Sequence, residues 1–134
     1  MQGDGRLVLV VDDEMHLRIY ITTVFETSGF RVVSAPDGAK GMDLARRQRP
    51  DLVTLDLMMP KEGGVRMYRA LKTDETLKDV PVVVVSAVED ATFRHTLKTV
   101  SAGLAAPLPD PAAYVEKPPT ADALLSAAAR ALGE

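Results

Sequence analysis

Short, continuous apolar runs rich in valine most constrain the fold of this chain. They are four or five residues long and lie at 7–11, 31–35, 52–55, 82–85 and 113–116. Continuous runs are typical of strands buried on both faces of a parallel sheet, whereas a half-exposed strand alternates apolar with polar residues. The segments between them carry apolar residues at helical spacing. The pattern predicts an α/β fold, a doubly wound (βα)₅ arrangement in which right-handed crossovers place helices on both faces of the sheet.

Capping and breaking residues predict where the helices begin and end. Gly29 is a candidate C-cap for the first helix, and Asp37 and Thr120 are candidate N-caps for the second and fifth. Pro60 with the pair at 63–64 predicts a loop before the third helix. The fourth helix is predicted from an apolar stripe that consists of Phe93, Leu97, Val100 and Leu104.

A proline-rich stretch at about 101–113 interrupts the regular pattern. Its sequence is SAGLAAPLPDPAA, with prolines at positions 107, 109 and 111. Because proline fixes φ and lacks an N–H, this spacing forbids helix and predicts an extended loop.

Length and composition limit the classes of protein that the chain could form. A length of 134 residues predicts one domain, 1–134, with a core of about 6–132. The net charge of -3 gives no reason to expect direct contact with nucleic acid or an anionic membrane. With no cysteine, disulfide scaffolds and thiolate metal sites are excluded. A signal peptide and an apolar span of roughly 18 to 20 residues are both missing from the sequence, so a cytoplasmic location is the expectation.

Charged and polar residues follow four of the five apolar runs. Asp12 and Asp13 follow the first run, Asp56 the third, Ser86 the fourth and Lys117 the fifth. The carboxyl ends of parallel strands meet at one edge of the sheet, which is where α/β folds bind ligands. Carboxylates that converge there suit Mg²⁺, with a backbone carbonyl just past Asp56 as a further oxygen ligand. The set predicts a divalent-metal and phosphoryl site in which an aspartate can be the nucleophile.

Each of these residues also has an ordinary structural explanation. Acidic residues before a helix often serve as caps, and an aspartate before a Pro-Gly loop is common turn chemistry. The occurrence of all of them at successive strand ends favours function. Neither a Walker phosphate loop nor a dinucleotide-binding glycine motif is present in the sequence.

Four sequence motifs resemble those of a known family. They are VLVVDDE around Asp12 and Asp13, DLVTLDLMMP around Asp56, VVVVSA ending near Ser86, and YVEKP containing Lys117. Over nearly its whole length the chain resembles the receiver (CheY-like) domain of two-component response regulators. The resemblance implies a five-stranded parallel sheet of flavodoxin-like order 2-1-3-4-5.

The resemblance implies a role for each residue of the predicted site. Asp56 is then the phosphoacceptor, and Asp12, Asp13, Asp56 and the backbone carbonyl of Met58 hold Mg²⁺ or Mn²⁺. Lys117 then contacts the phosphoryl group. The phosphodonor would be a sensor histidine kinase or a phosphotransfer protein, and catalysis would be limited to self-phosphorylation and self-dephosphorylation at Asp56.

The resemblance also implies a switch. Ser86 would move toward the phosphoryl group, and Tyr114 would turn inward. The surface of the fourth helix, fifth strand and fifth helix would then bind a downstream effector protein, a fused output domain or a second copy of the chain.

The chain departs from the family pattern at several positions. The segment between Ser86 and Lys117 is longer than usual, and PLPDPAA replaces a small glycine turn. Glu62 stands where an apolar residue is more common, and Pro119 replaces a common phenylalanine. Met58 and Val88 flank the path of the attacking water and cannot orient it, which predicts slow loss of the phosphoryl group.

Three other function classes compete with a phosphorylated receiver. One is a receiver-like module that binds partners without phosphorylation. A phosphatase of the haloacid dehalogenase type would need D-x-D after the first strand and a cap domain, and a flavin carrier would need a less acidic first loop. His16 and His95 are interpreted as solvated surface residues.

Overall fold

A computed structural model describes residues 4–60, 63–87, 89–102 and 107–134. Strands and helices alternate along this part of the chain. In chain order they are β1 Leu7–Val11, α1 Met15–Thr27, β2 Arg31–Ala35, α2 Gly38–Arg47, β3 Leu52–Leu55, α3 Gly63–Thr73, β4 Val82–Ser86, α4 Asp90–Ser101, β5 Ala113–Glu116 and α5 Ala121–Ala131.

The five strands form one parallel sheet in the order β2-β1-β3-β4-β5. This confirms the predicted flavodoxin-like order 2-1-3-4-5. Every residue of β1, β3 and β4 is buried because these central strands are covered on both faces. The edge strand β2 is partly exposed, as expected of a strand with only one neighbour.

The core divides into two clusters because successive side chains of a strand point to opposite faces. Val8 and Val10 of β1 pack with buried residues of α1 and α5. Leu9 and Val11 face the other way and pack with buried residues of α2, α3 and α4. The predicted doubly wound arrangement is therefore confirmed.

The predicted helix ends agree with the local hydrogen bonds. The Asp37 side chain accepts a hydrogen bond from the Lys40 amide at 2.8 Å, and Thr120 Oγ1 accepts one from the Ala123 amide at 3.1 Å. Gly29, just past α1, has a φ of 94°, which glycine adopts without strain. Each cap supplies a partner or a backbone conformation that the helix end requires.

Two sequence predictions change in detail. Gly63 and Gly64 belong to the first turn of α3, not to a preceding loop. The proline-rich connection is 102–112, because Ser101 still belongs to α4 and Ala113 already belongs to β5. Of the predicted apolar stripe, Phe93 and Leu97 are buried. Glu62, Val88, Leu104 and the side chain of Val100 lie outside the described residues.

No helix in the described part of the chain is long and apolar enough to cross a bilayer.

Candidate metal and phosphoryl site

The carboxyl edge of the sheet brings the predicted site residues together. Asp12 follows β1, Asp56 follows β3, and Lys117 follows β5. The backbone amide of Lys117 donates a hydrogen bond to the Ser86 carbonyl at 3.0 Å, which ties the ends of β4 and β5 side by side. The strand order therefore brings residues that are far apart in the sequence into one cluster.

Three carboxylates form the acidic part of this cluster. Carboxylate oxygens of Asp12, Asp13 and Asp56 all lie within 4.8 Å of one another. Asp12 and Asp56 are only 1% and 2% exposed, whereas Asp13 is exposed to solvent. The cluster thus has a buried floor and one open side.

Lys117 supplies the positive charge at the floor of the cluster. Its Nζ lies 3.1 Å from Asp12 Oδ2 and 3.2 Å from Asp56 Oδ2. Burial alone would lower the pKa of Lys117, but its contacts with Asp12 and Asp56 outweigh burial and raise the pKa. Lys117 is therefore held in its charged form.

One lysine does not compensate for two buried carboxylates. Burial raises the pKa of Asp12, the Glu14 amide acts in the opposite direction, and the charge of Asp56 raises the pKa further. The contact with Lys117 lowers the Asp12 pKa only in part, so the net shift is upward. The cluster consequently retains uncompensated negative charge that a cation would stabilise.

The second oxygen of each buried carboxylate is fixed by a nearby amide. Asp12 Oδ1 accepts a hydrogen bond from the Glu14 amide at 2.9 Å, and Asp56 Oδ1 accepts one from the Met58 amide at 3.0 Å. Asp12 Oδ2 lies 3.1 Å from Lys117 Nζ and accepts no well-aligned hydrogen bond from the described residues. A buried oxygen of this kind, next to two other carboxylates, fits the oxygen ligation that Mg²⁺ prefers.

Ser86 and Tyr114 lie on neighbouring strands and differ in burial. Ser86 is fully buried as the last residue of β4. Tyr114 is half-buried on β5, opposite Val84 in the register, and its ring centroid lies 6.1 Å from that of Phe93 on α4. The structure therefore places Ser86 at the carboxyl end of β4 beside Lys117, and Tyr114 against Phe93 of α4.

Sequence reasoning missed two residues that support the backbone of the cluster. Glu14 is the N-cap of α1, and its carboxylate accepts hydrogen bonds from the amides of His16 and Leu17. Asp12 and Asp13 are therefore not needed as caps of α1, which weakens helix capping as the explanation for these two acidic residues. Arg18 Nη1 donates a hydrogen bond to the Asp12 carbonyl at 2.8 Å. A glutamate just before the apolar spacing of the first helix is a sequence signal for the Glu14 cap. No sequence signal indicates the hydrogen bond of Arg18.

Gly64 also supports the site. A Cβ added to Gly64 would lie 2.8 Å from the carbonyl carbon of Leu57 and closer still to the Asp56 carbonyl oxygen. Glycine thus allows α3 to begin directly against the backbone that carries Asp56. In the sequence a glycine pair predicts a loop as readily as a close approach of this kind.

Two cavities open beside Asp13. One, of about 630 Å³, lies between the first turns of α2 and α3 and includes Met42 and Arg66 in its lining. The other, of about 670 Å³, lies between the start of α3 and α4. His95 on α4 and His16 on α1 are exposed, as predicted, but His95 also lines this second cavity and His16 lines a shallow cleft that includes Lys117. The exposed side of the cluster is therefore accessible from two directions.

The chain is similar to known proteins over most of its length. The family model of the response regulator receiver domain matches residues 8–129. The polar-differentiation response regulator DivK of Brucella anthropi is 32% identical over 81 residues, which cover 60% of this chain and 65% of DivK. The probable transcriptional regulator ycf27 of Porphyridium aerugineum is 37% identical over 89 residues, which cover 66% of this chain and 36% of ycf27. The chain therefore spans only part of both relatives.

Solved structures show the same architecture. Chemotaxis protein CheY4 of Vibrio cholerae superposes with a TM-score of 0.81 at 23% identity, covering 96% of this chain and 99% of CheY4. At this identity the similarity supports the fold alone. The family match over most of the chain adds the assignment: the chain belongs to the response regulator receiver domain family of two-component signalling.

Proposed function

We propose that the chain accepts a phosphoryl group on Asp56, in an Mg²⁺-dependent reaction, from a sensor histidine kinase or a phosphotransfer protein. Phosphorylation then changes the partner-binding surface formed by α4, β5 and α5. The observation that carries this proposal is the meeting of three carboxylate oxygens within 4.8 Å beside the Lys117 ammonium. Receiver domains act as signalling switches and not, in general, as enzymes, and the chemistry proposed here is confined to Asp56.

The proposed transfer is an in-line displacement at phosphorus. A carboxylate oxygen of Asp56 forms the new P–O bond, the P–N bond to the donor histidine breaks, and the imidazole keeps the bonding electron pair and takes up a proton. The Met58 amide and the Lys117 ammonium restrain the two oxygens of Asp56 at 3.0 and 3.2 Å. This restraint holds the nucleophile in one orientation while the donor approaches.

The metal ion would be held by Asp12, Asp13, Asp56 and the backbone carbonyl of Met58. Mg²⁺ or Mn²⁺ bound there would neutralise negative charge on the phosphoryl oxygens. Support comes from the uncompensated charge of the cluster and from the buried Asp12 Oδ2, which accepts no well-aligned hydrogen bond in the described part of the chain. Lys117 would neutralise a further part of the phosphoryl charge from the buried side.

Exposed apolar side chains around the open side of the site support a protein as the natural phosphoryl donor. Met15 and Ile19 on α1 are 53% and 54% exposed, and Met58 beside Asp56 is 62% exposed. Large apolar side chains exposed beside a reactive group favour contact with another protein.

Ser86 and Tyr114 are the proposed readout. The buried Ser86 hydroxyl would donate a hydrogen bond to a phosphoryl oxygen, which would draw in the chain after β4. Tyr114 would then turn inward, and the surface of α4 and β5 would change for an effector protein, a fused output domain or a second copy of the chain. Phosphorylation can drive this change only to the extent that it stabilises one arrangement more than the other.

Intact mass after incubation with Mg²⁺ and acetyl phosphate tests the proposal. We expect one added phosphoryl group on the wild type, none on Asp56→Asn, and slower uptake by Asp13→Asn. Asp43→Asn is the matched control, since Asp43 lies on the exposed surface of α2 in an ion pair with Arg47. Uptake that survives Asp56→Asn would contradict the proposal, and no uptake by the wild type would favour a phosphorylation-independent binding module.

A further inference from the structure

Tyr68 of α3 is a buried tyrosine that contacts the proline-rich connection. Its side chain is fully buried, and its hydroxyl donates a hydrogen bond to the Pro109 carbonyl at 2.5 Å. Burial raises the pKa of Tyr68 far above its usual value, and the charge of Asp110 adds to the shift. Tyr68 is therefore a neutral hydrogen-bond donor throughout the physiological range.

The proline segment, defined here as residues 107–112, has two further anchors. The Leu108 amide donates to Ser101 Oγ at the end of α4 at 2.8 Å, and the Ala112 amide donates to the Val82 carbonyl at 2.9 Å. The Leu108 side chain packs against the core cluster on the α4 side of the sheet. Because its prolines have no N–H, the segment cannot form a regular backbone ladder, so these separate hydrogen bonds hold it in place.

Tyr68 also belongs to a row of three aromatic rings. Phe93 of α4 lies between Tyr68 and Tyr114. Its ring centroid is 5.7 Å from that of Tyr68, in an edge-to-face contact, and 6.1 Å from that of Tyr114. Phe93 and Leu97 are the side chains of α4 that are buried in the described part of the chain. A movement of α4 or of Tyr114 therefore has to change the contacts of Phe93.

We propose that Tyr68 is a positioning residue that anchors the proline segment against α4 and thereby sets how readily α4 and Tyr114 rearrange on phosphorylation. If α4 shifts, the Ser101 anchor must break or carry the proline segment with it. The Tyr68 hydrogen bond opposes that movement because it ties the same segment to α3. The anchoring follows from the geometry alone, whereas its coupling to phosphorylation rests on the proposed function.

Tyr68→Phe tests the anchoring, because it removes the hydroxyl and keeps the ring against Phe93. In the unphosphorylated protein we expect the Leu108 amide to exchange with solvent about fivefold faster, as expected for the loss of one neighbouring hydrogen bond. The Val10 amide in β1 should keep its rate. Tyr20→Phe removes an exposed hydroxyl on α1 and is the matched control, for which no change at Leu108 is expected.

A second measurement keeps the test decisive if Tyr68→Phe accelerates exchange throughout the protein, namely the Leu108 exchange rate relative to that of Val10. Ser101→Ala removes the acceptor of the Leu108 amide itself and is the positive control, which shows how far this amide accelerates when one anchor is lost. A Leu108 rate in Tyr68→Phe that is unchanged, or that rises no more than the Val10 rate, would refute the anchoring by Tyr68.

The coupling is tested with acetyl phosphate and Mg²⁺, with phosphorylation verified by intact mass. We expect phosphorylation to accelerate Leu108 exchange in the wild type, and to do so to a smaller extent in Tyr68→Phe, where the segment is already partly released. Equal increments in the two proteins would refute the coupling. Absence of phosphorylation would refute the proposed function and the coupling with it, but the anchoring would still be decided by the unphosphorylated proteins.

Discussion

Gly64→Ala is the substitution for which the structure makes the sharpest prediction. The added methyl group would lie 2.8 Å from the carbonyl carbon of Leu57, and the Asp56 carbonyl oxygen and Leu57 Cα would be closer still. Ordinary contact begins at 3.4 Å, so even the 2.8 Å contact must lengthen by 0.6 Å, and the two shorter ones by more. All three neighbours are backbone atoms that cannot rotate away, so α3 and the chain after β3 must separate, at a cost of about 1 to 3 kcal/mol in the free energy of unfolding.

The same displacement should damage the proposed chemistry. Asp56 is restrained at 3.0 Å by the Met58 amide and at 3.2 Å by Lys117 Nζ, and a shift of its backbone changes both distances. A misplacement of about 1 Å can reduce a rate by roughly 100-fold. We therefore expect phosphoryl uptake from acetyl phosphate and Mg²⁺, followed by intact mass, to slow between tenfold and about 100-fold. Urea unfolding of the same variant measures the stability loss.

Gly63→Ala is the matched control at the preceding position. Its methyl group would lie 3.6 and 3.7 Å from atoms of Met59, which is ordinary contact. Neither Gly63 nor Gly64 has a positive φ, so alanine is compatible with the backbone at both positions. If Gly64→Ala takes up the phosphoryl group as fast as Gly63→Ala, the proposed role of this close approach is wrong.

Three further predictions concern charge, lifetime and pH. Lys117→Met leaves the buried carboxylates of Asp12 and Asp56 without their cation, so the free energy of unfolding at pH 7 should fall by about 3 kcal/mol. Urea titrations should show that saturating Mg²⁺ restores part of this loss, and identical curves with and without Mg²⁺ would contradict a metal site. Met58→Asn places a hydrogen-bonding group at the exposed rim, so the half-life of phosphorylated Asp56, followed by intact mass, should shorten; an unchanged half-life would argue against the role of Met58. Tyr68 keeps its proton in the folded protein but loses it in the unfolded chain above its usual pKa of 10.0. Above that pH the stability of the wild type should therefore fall faster than that of Tyr68→Phe, by about 1.4 kcal/mol per pH unit, and parallel pH profiles would show that burial does not hold this proton.

The strands and the site cluster could be predicted from sequence because local pattern and topology are enough to place them. A continuous apolar run such as Leu52–Leu55 is only stable when both faces are covered, which indicates a central strand. Parallel strands then bring Asp12, Asp56 and Lys117 to one edge whatever the details of side-chain packing. The roles assigned to these residues stay predictions until phosphorylation is measured.

The close approaches could not be predicted, because they depend on how the elements pack. The pair that contains Gly64 predicts a loop, since a glycine pair has the same local signature in a turn as at a helix start against another backbone. In the sequence Tyr68 lies at helical spacing from Val65 and Leu71, and its partner Pro109 is 41 residues away. Local periodicity could therefore indicate that Tyr68 is buried, but the hydrogen bond of its hydroxyl depends on the path of the proline segment across α3 and α4.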